Sequence, residues 1–265
     1  CYYATKITRC KFATTFHGTY NFKNSIKKFY NSIMVKSDLL IAGSNFIFSH
    51  ISENYKSFLN YKKKFLVIFR GINTEYFNPE IIKTKDIDKL KTLWDISENK
   101  KVILLPGRLT SWKGQEMFIE AINLFQLSNP ELEYVAIILG SDQGRNVYRK
   151  KLERLVQQFN LTQKIKFADN YKNMPVAYYI SDVVVSASIE PEAFGRVSVE
   201  AQAMKKPIIA SNIGGSKETV IDNKTGLLFD SGKPKSLCDK LDEVIKLDSL
   251  TLDLMGREGR KNVIN

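Results

Sequence analysis

The sequence predicts an α/β protein built from two doubly wound parallel sheets. Two observations predict it. Apolar runs of strand length alternate with stretches whose apolar residues recur at helical spacing. That alternation pauses after the turn signal Asn78-Pro79 and then begins a second, longer series.

The first series opens with a strand over 11–16 that ends at His17-Gly18. Phe22, Ile26, Phe29, Tyr30, Ile33 and Met34 then fall on one helical face, which reads as core. A strand over 38–42 follows. Ile47, Phe48, Ile51, Tyr55, Phe58 and Leu59 mark a second helix, and 65–69 is a third strand. The turn at Asn78-Pro79 places a domain boundary after residue 80, dividing the chain into 1–80 and 81–265.

The second series has strands at 101–105, 134–139, 165–167, 183–185 and 207–210. Phe118, Ala121, Ile122 and Phe125 line one intervening helix. Leu152, Leu155, Val156 and Phe159 line another. In such a sheet ligands bind beyond the carboxyl ends of the strands. The loops starting at Gly107, Gly140, Ser186 and Ser211 are therefore expected to meet at one crevice.

Composition excludes several classes. At 43% hydrophobic and 26% charged, 265 residues form a packed core rather than a disordered chain. No apolar run approaches the ~20 residues that span a bilayer. Cys1, Cys10 and Cys238 are odd in number and lack metal-ligand spacing, so they read as reduced thiols in a cytoplasmic setting. The chain opens on Cys1 rather than Met, and a preceding segment is expected.

The net charge of +12 is uneven. Residues 1–80 hold 12 Lys and Arg against 4 Asp and Glu. A basic segment of this kind, together with the amphipathic helix over 22–34, suits an anionic lipid surface, or is simply a solvated lysine bias. Nucleic acid is a poor fit, because the interleaved aromatics share one helical face instead of forming a stacking platform.

Three pieces carry chemistry, all after strands of the second series. In Gly107-Arg108-Leu109-Thr110-Ser111-Trp112-Lys113-Gly114, Arg108 leaves a strand end and Lys113 opens the next helix. Two cations and a helix N-terminus at one point suit a diphosphate. A surface turn with two solvated charges would look the same. In the stretch 190–201, Glu192 and Glu200 are separated by seven residues around Phe194-Gly195. A helix starting near Gly195 would aim free N–H groups at the crevice. Glu200 would then sit inside it, facing the sheet, able to accept from the two hydroxyls of a ribose. The third piece is Gly214-Gly215 before Glu218, a turn that lets backbone approach a ligand. The acidic pair Asp86 and Asp88 is a solvated helix start rather than a metal site, and no metal ligand set is expected.

Together these pieces resemble the GT-B glycosyltransferases, and within them family 4, the group 1 glycosyl transferases. The resemblance runs from about Phe12 to about Asp230. It rests on Thr15-Phe16-His17-Gly18, on Gly107-Arg108 with Lys113-Gly114, on Glu192 and Glu200, on Gly214-Gly215 with Glu218, and on Thr225-Gly226-Leu227. It implies two Rossmann-like domains facing across a cleft, with the first one incomplete here. It implies that Arg108 and Lys113 clamp the donor diphosphate and that Glu200 holds the ribose. Glu192, Ala193, Phe194 and Gly195 would hold the transferred sugar, with His17 and Glu192 as catalytic residues. Gly140, Asn170 and Val197 would complete the donor site, with 167–170 beside the base. One departure stands out. Where the family has a Gly-rich pair, this chain has Ser141-Asp142-Gln143 before Gly144.

The implied activity is retaining, metal-independent transfer of a sugar from a nucleotide-diphosphate sugar to a glycan or lipid-linked acceptor. It would serve envelope polysaccharide or lipopolysaccharide synthesis, without a cofactor, at the inner face of a membrane. A sugar-nucleotide epimerase of the same fold, or a non-catalytic nucleotide-sugar-binding subunit, stays open as the alternative.

Overall fold

The computed structural model describes residues 1–20, 24–60, 63–144 and 146–264. The chain forms two compact units. One comprises Cys1–Gly71 with Glu192–Phe194, and the other comprises Ile72–Pro191 with Gly195–Asn265.

The first unit contains α1 (Tyr2–Thr8), β1 (Ala13–Phe16), α2 (Ser25–Val35), β2 (Leu39–Ala42), α3 (Asn45–Asn54) and β3 (Lys64–Val67). The three strands form a parallel sheet in the order β1-β2-β3. Successive right-handed crossovers in one direction place both helices on one face. Accordingly Val35 of α2 and Ile47 and Ile51 of α3 share a buried cluster with Phe16, Leu40 and Ala42.

The aromatic face of α2 is not core. Ile26, Phe29 and Tyr30 are 75%, 64% and 72% exposed. Phe22, the first residue of the expected face, lies outside the described residues. The physical reason is a tether. The Thr14 hydroxyl donates to the Met34 carbonyl at 2.7 Å, fixing the end of α2 against β1. Small Ser32 and Val35 then face the sheet, and the larger side chains turn outward.

The second unit contains α4 (Thr84–Leu93), β4 (Lys101–Pro106), α5 (Gln115–Ser128), β5 (Tyr134–Leu139), α6 (Asn146–Gln158), β6 (Ile165–Ala168) and α7 (Met174–Ile180). It continues with β7 (Val183–Ser186), α8 (Arg196–Ala203), β8 (Ile208–Ser211), α9 (Ser216–Thr219), β9 (Leu227–Phe229), α10 (Pro234–Lys246) and α11 (Ser249–Ile264). Its six parallel strands run β6-β5-β4-β7-β8-β9. Both faces are covered, which is why these strands read as continuous apolar runs. Ile103 and Leu105 join the core on one face, while Val102 and Leu104 join the core on the other.

The units divide between Gly71 and Ile72 rather than after Glu80. Phe77 packs into the second unit's core, and Arg260 of α11 donates to the Phe77 carbonyl at 2.9 Å. The turn at Asn78 therefore lies inside this unit. Half-buried Asp86 and exposed Asp88 fall in α4, Asp86 in its first turn.

Candidate functional site

The second unit's strand order doubles back between β4 and β7, which is the switch point of a doubly wound sheet. The loops leaving the carboxyl ends do meet there. Gly140, after β5, lies so near the loop after β4 that a Cβ on it would sit 2.0 Å from the Gly107 carbonyl oxygen. Leu109 N–H donates to the Ser141 carbonyl at 3.0 Å, and Gly140 N–H donates to the Ala168 carbonyl at 2.9 Å. The loop after β7 joins through Ile189 N–H, which donates to the Trp112 carbonyl at 2.9 Å. The Ser211 hydroxyl, ending β8, donates to the Ser186 carbonyl at 3.3 Å.

Arg108 is exposed at the carboxyl end of β4, and among the described residues its guanidinium has no ion pair or hydrogen bond. Its backbone is fixed, because buried Gln115 donates to the Arg108 carbonyl at 2.9 Å. Lys113 ends a short 3-10 turn, Ser111–Lys113, and curls back beside Gly107. Its ammonium stands 4.6 Å from the Trp112 ring centroid. Gly114 then opens α5 in the left-handed conformation, with no side-chain cap on the helix N–H groups. These features put two cations and uncapped donors at one strand end.

The departure at 141–143 has a structural account. Asp142 Oδ1 accepts from Gly144 N–H at 2.9 Å, and Ser141 Oγ accepts from Gln143 N–H at 2.9 Å. Side-chain oxygens thus close the turn. Asn170 lies just beyond the end of β6 and is exposed.

Gly195 caps α8 at φ +87°, again with no side-chain cap. Val197 is buried behind it. Glu200, one turn further, is 8% exposed and faces inward, as its spacing predicts. One of its oxygens accepts from the Tyr178 hydroxyl and the other from Arg196, both at 2.8 Å. Tyr178 was not legible as a site residue, because it comes from α7, far upstream of α8.

The remaining predicted residues belong to the first unit. His17 is exposed at the carboxyl end of β1. Glu192 is half-buried and Phe194 is buried. Ala193 packs on that unit's core, and its carbonyl accepts from the Ser44 hydroxyl at 2.5 Å. Ser44 also caps α3 by accepting from Ile47 N–H. No pattern in the sequence pointed to Ser44.

Residues 86–262 match the family model described as glycosyl transferases group 1. The chain belongs to that family. This group 1 glycosyl transferase resembles the D-inositol 3-phosphate glycosyltransferase of Corynebacterium urealyticum, at 28% identity over 219 residues. The match covers 82% of this chain and 50% of that protein, so the chain spans about half the length of such curated relatives. A solved glycosyltransferase from Rickettsia africae matches with a TM-score of 0.89 and 39% identity, covering 100% of this chain and 68% of that one. Anabaena HepE, solved with UDP and glucose, matches with a TM-score of 0.85 at 23% identity, over 98% of this chain and 68% of HepE. The α/β fold with parallel sheets is that of the GT-B glycosyltransferases, as the sequence motifs implied.

Proposed function

We propose that this chain carries the donor site of a retaining glycosyltransferase, which moves a sugar from a nucleotide-diphosphate sugar to a glycan or lipid-linked acceptor. One observation supports it most. Exposed Arg108, half-buried Lys113 and the uncapped N-terminus of α5 stand together at the switch point of the second unit's sheet. Breaking the sugar–phosphate bond leaves negative charge on the diphosphate. Fixed cations and helix N–H groups stabilise that charge as it develops. Such an arrangement can serve in place of a metal ion.

In this reading Arg108 and Lys113 hold the diphosphate and Glu200 holds the ribose. Gly140, Asn170 and Val197 complete the donor contacts. Glu192, Ala193, Phe194 and Gly195 bind the transferred sugar, with His17 and Glu192 serving the reaction. HepE was solved with UDP and UDP-glucose, which makes UDP the first donor nucleotide to test. Among the described residues no helix is long and apolar enough to cross a membrane. We assign the chain to the inner membrane surface as a peripheral protein of envelope glycan synthesis, on its basic first 80 residues and the exposed face of α2.

Calorimetric titration with UDP, GDP and ADP in the presence of EDTA tests the donor site. One diphosphate is expected to bind, and Arg108→Ala and Glu200→Ala are each expected to weaken it at least about tenfold, as loss of a charged hydrogen bond does. No binding of any diphosphate by the folded chain would overturn the reading.

A further inference from the structure

The second unit has another cavity at the opposite end of its sheet. It lies at the amino ends of β4, β7 and β8, away from the loops that hold Arg108 and Gly195, and measures about 500 Å³. That is within the range of small-molecule sites. Five lysines from three parts of the chain line it: Lys91 of α4, Lys100 and Lys101 at the start of β4, and Lys205 and Lys206 between α8 and β8.

The three acids that line the cavity, Glu98, Asp182 and Asp253, offset only part of the charge of the five lysines. Asp182 is committed, accepting from Val102 N–H at 2.8 Å and from Lys101 at 3.1 Å. Asp253 pairs with Arg257, which is not in the lining, at 2.7 Å. Glu98 is exposed at the margin. Lys205 reaches out to Glu80 at 2.7 Å.

Lys206 stands out. It is half-buried, and its ammonium lies 5.2 Å from the Tyr179 ring centroid. Among the described residues it has no ion pair or hydrogen bond. Burial pushes its pKa down, with Asp182 opposing. A half-buried cation with no ion pair of its own is costly unless something else supplies the charge. The C-terminal dipole of α4 gives Lys91 a structural reason to be there. Lys101 pairs with Asp182, and Lys100 stands 3.9 Å from Glu133, which is not in the lining. Apolar side chains such as Ile87, Ile96 and Leu252 complete the walls and suit an organic body.

We propose that this cavity binds a phosphate group, seated on Lys206 with Lys91 and Lys100 around it. Ammonium groups act as point charges toward phosphate, and converging lysines are enough to hold one. The phosphate arrives either as the free ion or as a monoester whose body lies against the apolar wall. This site is separate from the donor diphosphate site and does not depend on it.

Reductive labelling with pyridoxal phosphate tests this on the intact chain. The lysine amine adds to the aldehyde, water leaves to give an imine, and borohydride supplies the hydride that fixes it as a secondary amine. Peptide mapping then ranks the lysines. Lys206 is expected to label faster than exposed Lys85, and inorganic phosphate and phenyl phosphate are each expected to protect it. Better protection by phenyl phosphate identifies a monoester, and equal protection identifies the free ion. Arg108→Ala should leave labelling and protection unchanged, which separates the result from donor binding. Lys91→Met should raise the phosphate concentration needed for protection by about fivefold, the worth of one nearby charge. Labelling of Lys206 no faster than Lys85, no protection by either anion, or protection indifferent to Lys91→Met would overturn the proposal.

Discussion

At the residue scale the informative position is Glu200. An ionised carboxylate offers about four lone-pair sites. Tyr178 and Arg196 take one each, leaving acceptors for a pair of hydroxyls. Tyr178 is fully buried, so its hydroxyl fixes which way the carboxylate points. Tyr178→Phe should therefore cost about 1 kcal/mol of stability, measured by urea denaturation, as one hydrogen bond does. It should also weaken diphosphate binding, because Glu200 loses its orientation. Unchanged binding with lowered stability would make Tyr178 structural only. The inward position of Glu200 was legible from its spacing after Gly195. Tyr178 and Ser44 were not, because each reaches its partner through the fold: Tyr178 is 22 residues from Glu200 and Ser44 is 149 from Ala193. Single-chain periodicity does not record such distances.

At the element scale the crevice depends on close packing between loops. Gly114 shows this best. It sits at φ +74°, and a Cβ there would lie 1.9 Å from the Ala187 carbonyl oxygen. Gly114→Ala should thus lower stability by about 2 kcal/mol or more, combining left-handed strain with a backbone clash. Because the displaced segment carries Lys113, diphosphate affinity should fall too, and calorimetry beside thermal unfolding would show both. Full affinity in a stable variant would mean that the loop after β4 shifts freely. The strands themselves were largely legible, since buried parallel strands are unbroken apolar runs. β9 has three residues and α1 seven, too short for a period to register. The reading of the α2 aromatic face as core failed for a different reason. Periodicity reveals that a helix has an apolar face, but tethers such as Thr14 to Met34 decide what that face meets.

At the scale of the whole molecule, charge and exposed apolar surface coincide. Residues 1–80 carry 12 Lys and Arg against 4 Asp and Glu. Within them, α2 presents Ile26, Phe29 and Tyr30 to solvent, with exposed Lys27 and half-buried Lys28 between them. An aromatic and aliphatic face flanked by lysines has the chemistry of a helix lying in a lipid headgroup layer. The apolar part would supply burial and the lysines attraction to anionic lipid. Co-sedimentation with vesicles rich in phosphatidylglycerol should separate the two contributions. The chain is expected to bind at about 0.1 M salt and to release at about 1 M, as the Debye length falls from ~10 to ~3 Å. Phe29→Asp with Tyr30→Asp should abolish binding without unfolding the chain, since both side chains already face water. Binding to neutral vesicles as strong as to anionic ones would remove the electrostatic half of the argument. Binding that survives the double substitution would remove α2 from it.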